Sequence, residues 1–142
     1  MPIFWLAYKQ NDFTQGTLNN ASRYMFTALM NGCSLGFGSQ TGDGTCLVSH
    51  ANKSSAGQGG RGNQRGEQHD QLLQVFGTDH FNVIEPDSYQ STTHGSFGLQ
   101  ATNFGKNENG WWEFYTLKWM ASGGGGGVVL RCGIDRAVSI PY

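Results

Sequence analysis

Residues 17–52 read TLNNASRYMFTALMNGCSLGFGSQTGDGTCLVSHAN, and the fold turns on how this stretch is read. Thr17, Asn19 and Asn20 are N-cap residue types. Leu18, Ala21, Met25 and Leu29 then recur at helical spacing with Ser22 on the same face, which predicts a helix that Gly32 terminates. Cys33 sits directly on that breaker. A small apolar run follows at residues 34–38. Leu35-Gly36-Phe37 and Cys46-Leu47-Val48 read as two short strands, with Gly42-Asp43-Gly44 between them as a hairpin signal. The second strand delivers His50.

Outward from this core, Ile3 to Tyr8 forms an aromatic and aliphatic run that predicts a buried strand, followed by a polar turn. Residues 53–66 (KSSAGQGGRGNQRG) contain almost nothing apolar and predict a surface loop. Residues 67–76 (EQHDQLLQVF) predict a short helix with Leu72, Leu73 and Phe76 inward, closed by Gly77. Phe81 to Ile84 reads as a strand ended by Pro86. Phe97, Leu99 and Ala101 alternate within a Ser/Thr/Gly-rich region, residues 105–110 form a turn cluster, and residues 111–120 (WWEFYTLKWM) alternate with strong β propensity. Five glycines at 123–127 form a linker or hairpin loop before two last strands at 128–132 and 137–140. The expected fold class is α+β: a β-dominated sandwich or distorted barrel with about two helices packed on one side. No regular βαβ alternation and no GxGxxG or Walker sequence argues for a nucleotide-binding doubly wound fold.

The composition narrows the function classes. At 142 residues the chain reads as one domain, residues 1–142, large enough to bury a core. Charged residues are 13% and the net charge is −1, which is not the basic footprint of a nucleic-acid binder. Arg61 and Arg65 echo an RGG segment only faintly, and read as part of a solvated loop. With 37% apolar and 13% aromatic residues, the chain is not of disordered composition. Its 22 glycines follow no three-residue period, which excludes collagen. No stretch approaches the roughly 20 apolar residues of a membrane helix, so no membrane partner is expected. The N-terminus has no basic region and too short an apolar run for a signal peptide. The expectation is synthesis in the cytoplasm, with secretion or delivery into a host cell by a route without a cleaved signal left open.

Three cysteines cannot all pair within one chain, and no CxxC pair suggests zinc. Cys46 and Cys132 lie inside strand patterns and read as core. Cys33 differs in its flanking Gly32, Gly36 and Gly38, which allow an unusual turn and close backbone approach. A hairpin sets neighbouring strands about 5 Å apart, so the Cys33 thiol and the His50 imidazole can meet. Such a pair is the machinery of thiol-based acyl transfer, with the backbone N–H groups of Gly32 and Cys33 as oxyanion donors. His69, beside Asp70, reads as a solvated helix face, and His80 and His94 as loop residues. A His/His/Asp metal site lacks ligand spacing such as HExxH, so no metal or other cofactor is expected.

The segment Phe26-Thr27-Ala28-Leu29-Met30-Asn31-Gly32-Cys33, followed by a short strand, a glycine-rich turn and a strand ending in His50, resembles the active-site core of the cytotoxic necrotizing factor type glutamine deamidases. It is most similar to the Burkholderia lethal factor branch. That family carries a Leu-Ser-Gly-Cys motif, for which this chain has Met30-Asn31-Gly32-Cys33, and a threonine six residues before the cysteine, the position of Thr27. The likeness covers residues 17–52. It implies a bacterial toxin or effector that converts a glutamine of a host or target protein to glutamate, with Cys33 as nucleophile, His50 as base and Thr27 orienting or polarising the pair. Family members act on Rho-type GTPases and on a translation-initiation helicase. Two alternatives stand beside this reading. One is a related cysteine hydrolase or transglutaminase, which shares the first half-reaction. The other is a non-catalytic β-sandwich binding module that uses Trp111, Trp112 and Trp119 as a stacking surface, although alternation also makes these tryptophans candidates for the core.

Overall fold

The computed structural model describes residues 1–53, 60–77, 80–89, 99–121 and 129–139; of residues 60–62, 99, 120–121 and 129–139 the backbone alone is described. In chain order the elements are β1 (Ile3–Leu6), β2 (Asp12–Leu18), β3 (Tyr24–Thr27), β4 (Ser34–Phe37), β5 (Cys46–Asn52), α1 (Gly60–Phe76), β6 (Asn82–Ile84), α2 (Pro86–Tyr89), β7 (Leu99–Glu108), β8 (Trp111–Ala121) and β9 (Val129–Ser139). The fold is α+β and β-dominated, and its two sheets form a sandwich rather than a closed barrel. A five-stranded sheet has the order β1-β3-β7-β8-β9 and a four-stranded sheet the order β2-β5-β4-β6. β1 pairs with β3 in parallel, because β2 leaves between them to join the other sheet. No helix among the described residues is long and apolar enough to cross a membrane.

Residues 18–31 do not form the expected helix. Leu18 closes β2, residues 19–22 turn, and Tyr24–Thr27 is a strand. The polar residues that suggested an N-cap make a turn instead: Asn19 Oδ1 accepts the Ala21 N–H at 2.9 Å, and the Asn19 carbonyl accepts the Ser22 N–H at 3.3 Å. Of the proposed helical face, Leu18 and Met25 are fully buried, but Ala21 is exposed and Leu29 is 44% exposed. The true period is two. Met25 and Thr27 point inward while Tyr24 and Phe26 lie partly exposed on the outer face. Phe26 stacks there on Phe104, and Phe104 on Tyr115.

The second expected helix is present and longer, beginning at Gly60 rather than Glu67, so part of the expected surface loop is helical. Its polar early turns carry no apolar stripe and are held by specific contacts. Gln64 Nε2 donates to the Gly32 carbonyl at 3.1 Å, and Arg65 pairs with Glu85 at 2.5 Å and Asp87 at 3.4 Å. The expected glycine loop at 123–127, the loop residue His94 and Phe97 of the expected strand lie outside the described residues.

The layers are α1, the four-stranded sheet, then the five-stranded sheet. Between the sheets Phe37 stacks on Phe114 with ring centroids 4.4 Å apart, within a core that includes Leu18, Met25, Leu35, Val48 and Trp112. Trp112, Phe114 and Thr116 point inward as the alternation of that segment implies, so Trp112 is core, while Trp111 and Trp119 are half-buried. On the other side α1 lies so close to β4 that a Cβ on Gly36 would stand 2.7 Å from Leu72 and 2.8 Å from Phe76. Gly66, in the exposed part of α1, has nothing within 4 Å of a built Cβ.

These two glycines give opposite expectations. Gly36→Ala forces the helix off the sheet and is expected to lower stability by about 1–3 kcal/mol. Gly66→Ala is expected to raise it by roughly 0.5–1 kcal/mol through helix propensity. Urea midpoints of the two variants against the parent protein check both signs.

Candidate active site

Cys33 lies in the turn that leads from the Met30–Ala101 bridge into β4. Gly32 has φ +92°, a left-handed conformation that side chains disfavour, which accounts for glycine there. Three side chains clamp the Gly32–Cys33 peptide. Tyr89 Oη accepts the Gly32 N–H at 3.0 Å and donates to the Cys33 carbonyl at 2.7 Å. Gln68 Nε2 donates to the Gly32 carbonyl at 2.7 Å, beside the Gln64 contact already described. Gln68 also reaches both neighbouring strands: its Oε1 accepts from Ser34 Oγ at 2.6 Å, and its Nε2 donates to the Lys53 carbonyl at 3.2 Å.

The β4–β5 register pairs Ser34 with Ala51 and Leu35 with His50. One step further, Cys33 stands opposite Asn52, and its thiol donates to Asn52 Oδ1 at 3.4 Å. Side chains alternate, so Cys33, Leu35, His50 and Asn52 share the face that looks toward the other sheet. Cys33 and His50 form a diagonal cross-strand pair on that face. On the far side of β5, Thr14 is paired with His50 and Asp12 with Asn52. The Thr27 hydroxyl lies in the other sheet, where it donates to the Asn103 carbonyl at 3.3 Å and accepts the Asn103 N–H at 3.1 Å. Its route toward the cysteine is indirect, because Asn103 Nδ2 also contacts Met30 Sδ at 2.6 Å, three residues before Cys33.

The pair is sealed. Cys33 is 3% and His50 1% exposed. Residues 7–11, between β1 and β2, lie over it. The Tyr8 ring stands edge-on to His50 with centroids 6.0 Å apart, Thr14 Oγ1 donates to the Ala7 carbonyl at 2.5 Å, and Asn52 Nδ2 donates to the Lys9 carbonyl at 3.3 Å. Neither His50 ring nitrogen has a hydrogen-bond partner among the described residues. Burial pushes the Cys33 thiol up to about 11 and the His50 imidazole down to about 4, so both rest neutral near pH 7 rather than as a thiolate–imidazolium pair. The expected oxyanion donor at Gly32 is already occupied by Tyr89 Oη, which leaves the Cys33 N–H as the backbone candidate.

The other sequence candidates lie elsewhere. Cys46 is buried, its thiol donates to the Gly38 carbonyl at 3.4 Å, and desolvation raises its pKa to about 12. Cys132 lies in β9, with its side chain outside the described set, and His94 is outside it altogether. His69 and His80 are exposed. Tyr8, Gln68 and Tyr89 did not stand out in the sequence. For Gln68 a signal existed, because it precedes the inward Leu72 and Phe76 by four and eight residues and so lies on the same helical face. The sequence matches no protein-family model and no curated protein.

The buried imidazole makes stability pH-dependent with a definite sign. His50 binds its proton less readily folded than unfolded, so its contribution is complete above the unfolded value of about 6.5 and is lost as pH falls toward 4. Roughly 3 kcal/mol is expected to disappear across that window. In His50→Gln the pH 7 to pH 4.5 difference in unfolding free energy shrinks by about 2–3 kcal/mol, measured by urea titration at both values.

Proposed function

We propose that this chain is a cysteine-dependent protein-glutamine deamidase, with Cys33 as nucleophile and His50 as general base and acid. The observation that carries the reading is the shared inward face of two adjacent strands on which a thiol stands diagonal to an imidazole with two unpartnered nitrogens. Because both groups rest neutral, the reaction is one of general-base activation. The thiol donates to Asn52 Oδ1 and not to His50 in this structure, so it first turns from Asn52. His50 then takes its proton as Sγ attacks the carboxamide carbon of a substrate glutamine. The tetrahedral oxyanion meets the Cys33 N–H. The C–N bond breaks, His50 returns the proton to the leaving ammonia, and a thioester remains. Water, deprotonated by His50, then cleaves the thioester to glutamate and restores the thiol. Thr27 acts as a positioning residue through Asn103 and Met30. A host or target protein is the substrate, and the segment 7–11 must swing aside to admit it.

Cys33→Ser and His50→Ala are expected to abolish glutamine-to-glutamate conversion in a susceptible protein, read by ammonia release and peptide mass, with the His50 change costing about 10²–10⁴ in rate. Full activity in Cys33→Ser would sink the proposal. The covering segment has its own readout: Tyr8→Ala is expected to speed alkylation of Cys33 in the folded protein while leaving Cys46 unchanged, measured by peptide mass after timed labelling.

A second reading, a non-catalytic binding module, is favoured by one observation. The outer face of the five-stranded sheet carries Tyr24, Phe26, Phe104 and Tyr115 in a stacked row beside Trp5, which is 60% exposed. A module of that kind keeps its full activity in Cys33→Ser and loses it in Trp5→Ala.

A further inference from the structure

At the end of the four-stranded sheet, where the start of β2 and the residue after β5 meet α1, lies a pocket of about 360 Å³. Asp12, Lys53, Glu67, Asp70, Gln71 and Gln74 line it. Three carboxylates therefore face one ammonium group. Asp12 is already engaged, by an ion pair with Lys9 and by the Phe13 N–H at 2.8 Å. The helix side is not. Gln71 is only 8% exposed, and its Oε1 has no hydrogen-bond partner among the described residues. The same holds for Glu67 Oε2, while Glu67 Oε1 receives only the long contact from Asn63 Nδ2 at 3.5 Å. Glu67 and Gln71 are four residues apart on one helix, so their side chains are neighbours on its surface. Two enclosed acceptor atoms, Glu67 Oε2 and Gln71 Oε1, thus have no donor among the described residues, an arrangement that proteins rarely leave unanswered.

We propose that this pocket binds the guanidinium group of an arginine side chain on a partner polypeptide, with Glu67 and Gln71 accepting its N–H groups. Both orphaned atoms are acceptors, and guanidinium is donor-only, with five N–H groups in a planar fork that can serve several oxygens at once. The sign of the charge agrees, with Glu67 and Asp70, two carboxylates that form no ion pair among the described residues, against Lys53. Lys53 lines the wall, but it is its backbone carbonyl that the helix holds, through Gln68. A metal ion is the poorer fit, since no three His, Cys, Asp or Glu side chains among the described residues are grouped as ligands. Lys53 in the pocket wall directly follows Asn52, the residue that holds the Cys33 thiol, yet the assignment does not depend on Cys33 chemistry.

The test uses the full-length Cys33→Ser protein, in which no turnover can contribute, and follows backbone amide shifts by NMR during titration. Nα-acetyl-arginine amide is expected to bind saturably and to shift Phe13, Glu67 and Gln71. The citrulline counterpart, of the same shape but uncharged, and the blocked lysine are each expected to bind about tenfold more weakly. Free arginine, whose carboxylate is repelled by this wall, is expected to bind more weakly than the blocked form. Glu67→Gln and Gln71→Leu are each expected to lower arginine affinity about tenfold, with dispersed spectra showing that both variants fold. Equal binding of arginine and citrulline, equal binding of arginine and lysine, shifts confined to another surface, or unchanged affinity in Glu67→Gln would each overturn the assignment.

Discussion

The pairing of Ser34–Phe37 with Cys46–Asn52 is the constraint on which the candidate site depends. Strand side chains alternate, so this register alone decides that Cys33 and His50 look toward the same layer. A slip of one residue in β4 would turn the thiol toward α1 and leave the imidazole behind. The register is therefore held from several directions. Phe37 is locked on Phe114 across the sandwich, Gly36 admits Leu72 and Phe76 from the helix, and β6 pairs with β4 along its other edge. Gln68 ties the Gly32 carbonyl, the Ser34 hydroxyl and the Lys53 carbonyl together from α1. A single buried amide thereby fixes the start of one strand and the end of its neighbour. An unmatched amide in that place would be costly, which is why its donors and acceptor are both used.

Burial has two consequences for the chemistry. It keeps the thiol and the imidazole neutral, which suppresses the reactivity of the resting site. It also leaves His50 without a hydrogen-bond partner among the described residues, a destabilising arrangement. The segment 7–11 closes the site through contacts that include the Tyr8 ring and the Asn52–Lys9 hydrogen bond. Asn52 spans both functions, because one end of its amide accepts from the thiol and the other donates to the covering segment. The thiol and the covering segment are in this way held by one side chain.

Local signals are correct in part. The expected turn after the first strand is β2, and residues 105–108 of the expected turn cluster lie in β7. The two expected last strands are the single β9, and the expected buried strand exposes Ile3 and Trp5. The turn residues between Cys46 and Phe37 and the alternation of residues 111–118 depend on near neighbours, and both segments are strands placed as expected. The misread helix at 18–31 shows the limit. Leu18, Ala21, Met25 and Leu29 satisfy a 3.6-residue period, but Tyr24–Thr27 has its hydrogen-bond partner in β7, where Met25 pairs with Gly105. Nothing within the segment announces a partner eighty residues away. The first turns of α1 were missed for the converse reason. They carry no apolar stripe, and their helicity is supported by Gln64 and Arg65 docking on residues distant in sequence.

By itself the sequence determined a β-dominated α+β domain, a cysteine on a glycine turn, and a histidine on the next strand, because composition, turn chemistry and short-range alternation act over a few residues. Tertiary structure decided everything that needs two distant segments at once. It set the common face of Cys33 and His50, the clamp of Tyr89 and Gln68 on the Gly32–Cys33 peptide, and the diversion of Thr27 to Asn103. It also decided the protonation states, because desolvation comes from the surrounding layers and from no feature of the residues themselves.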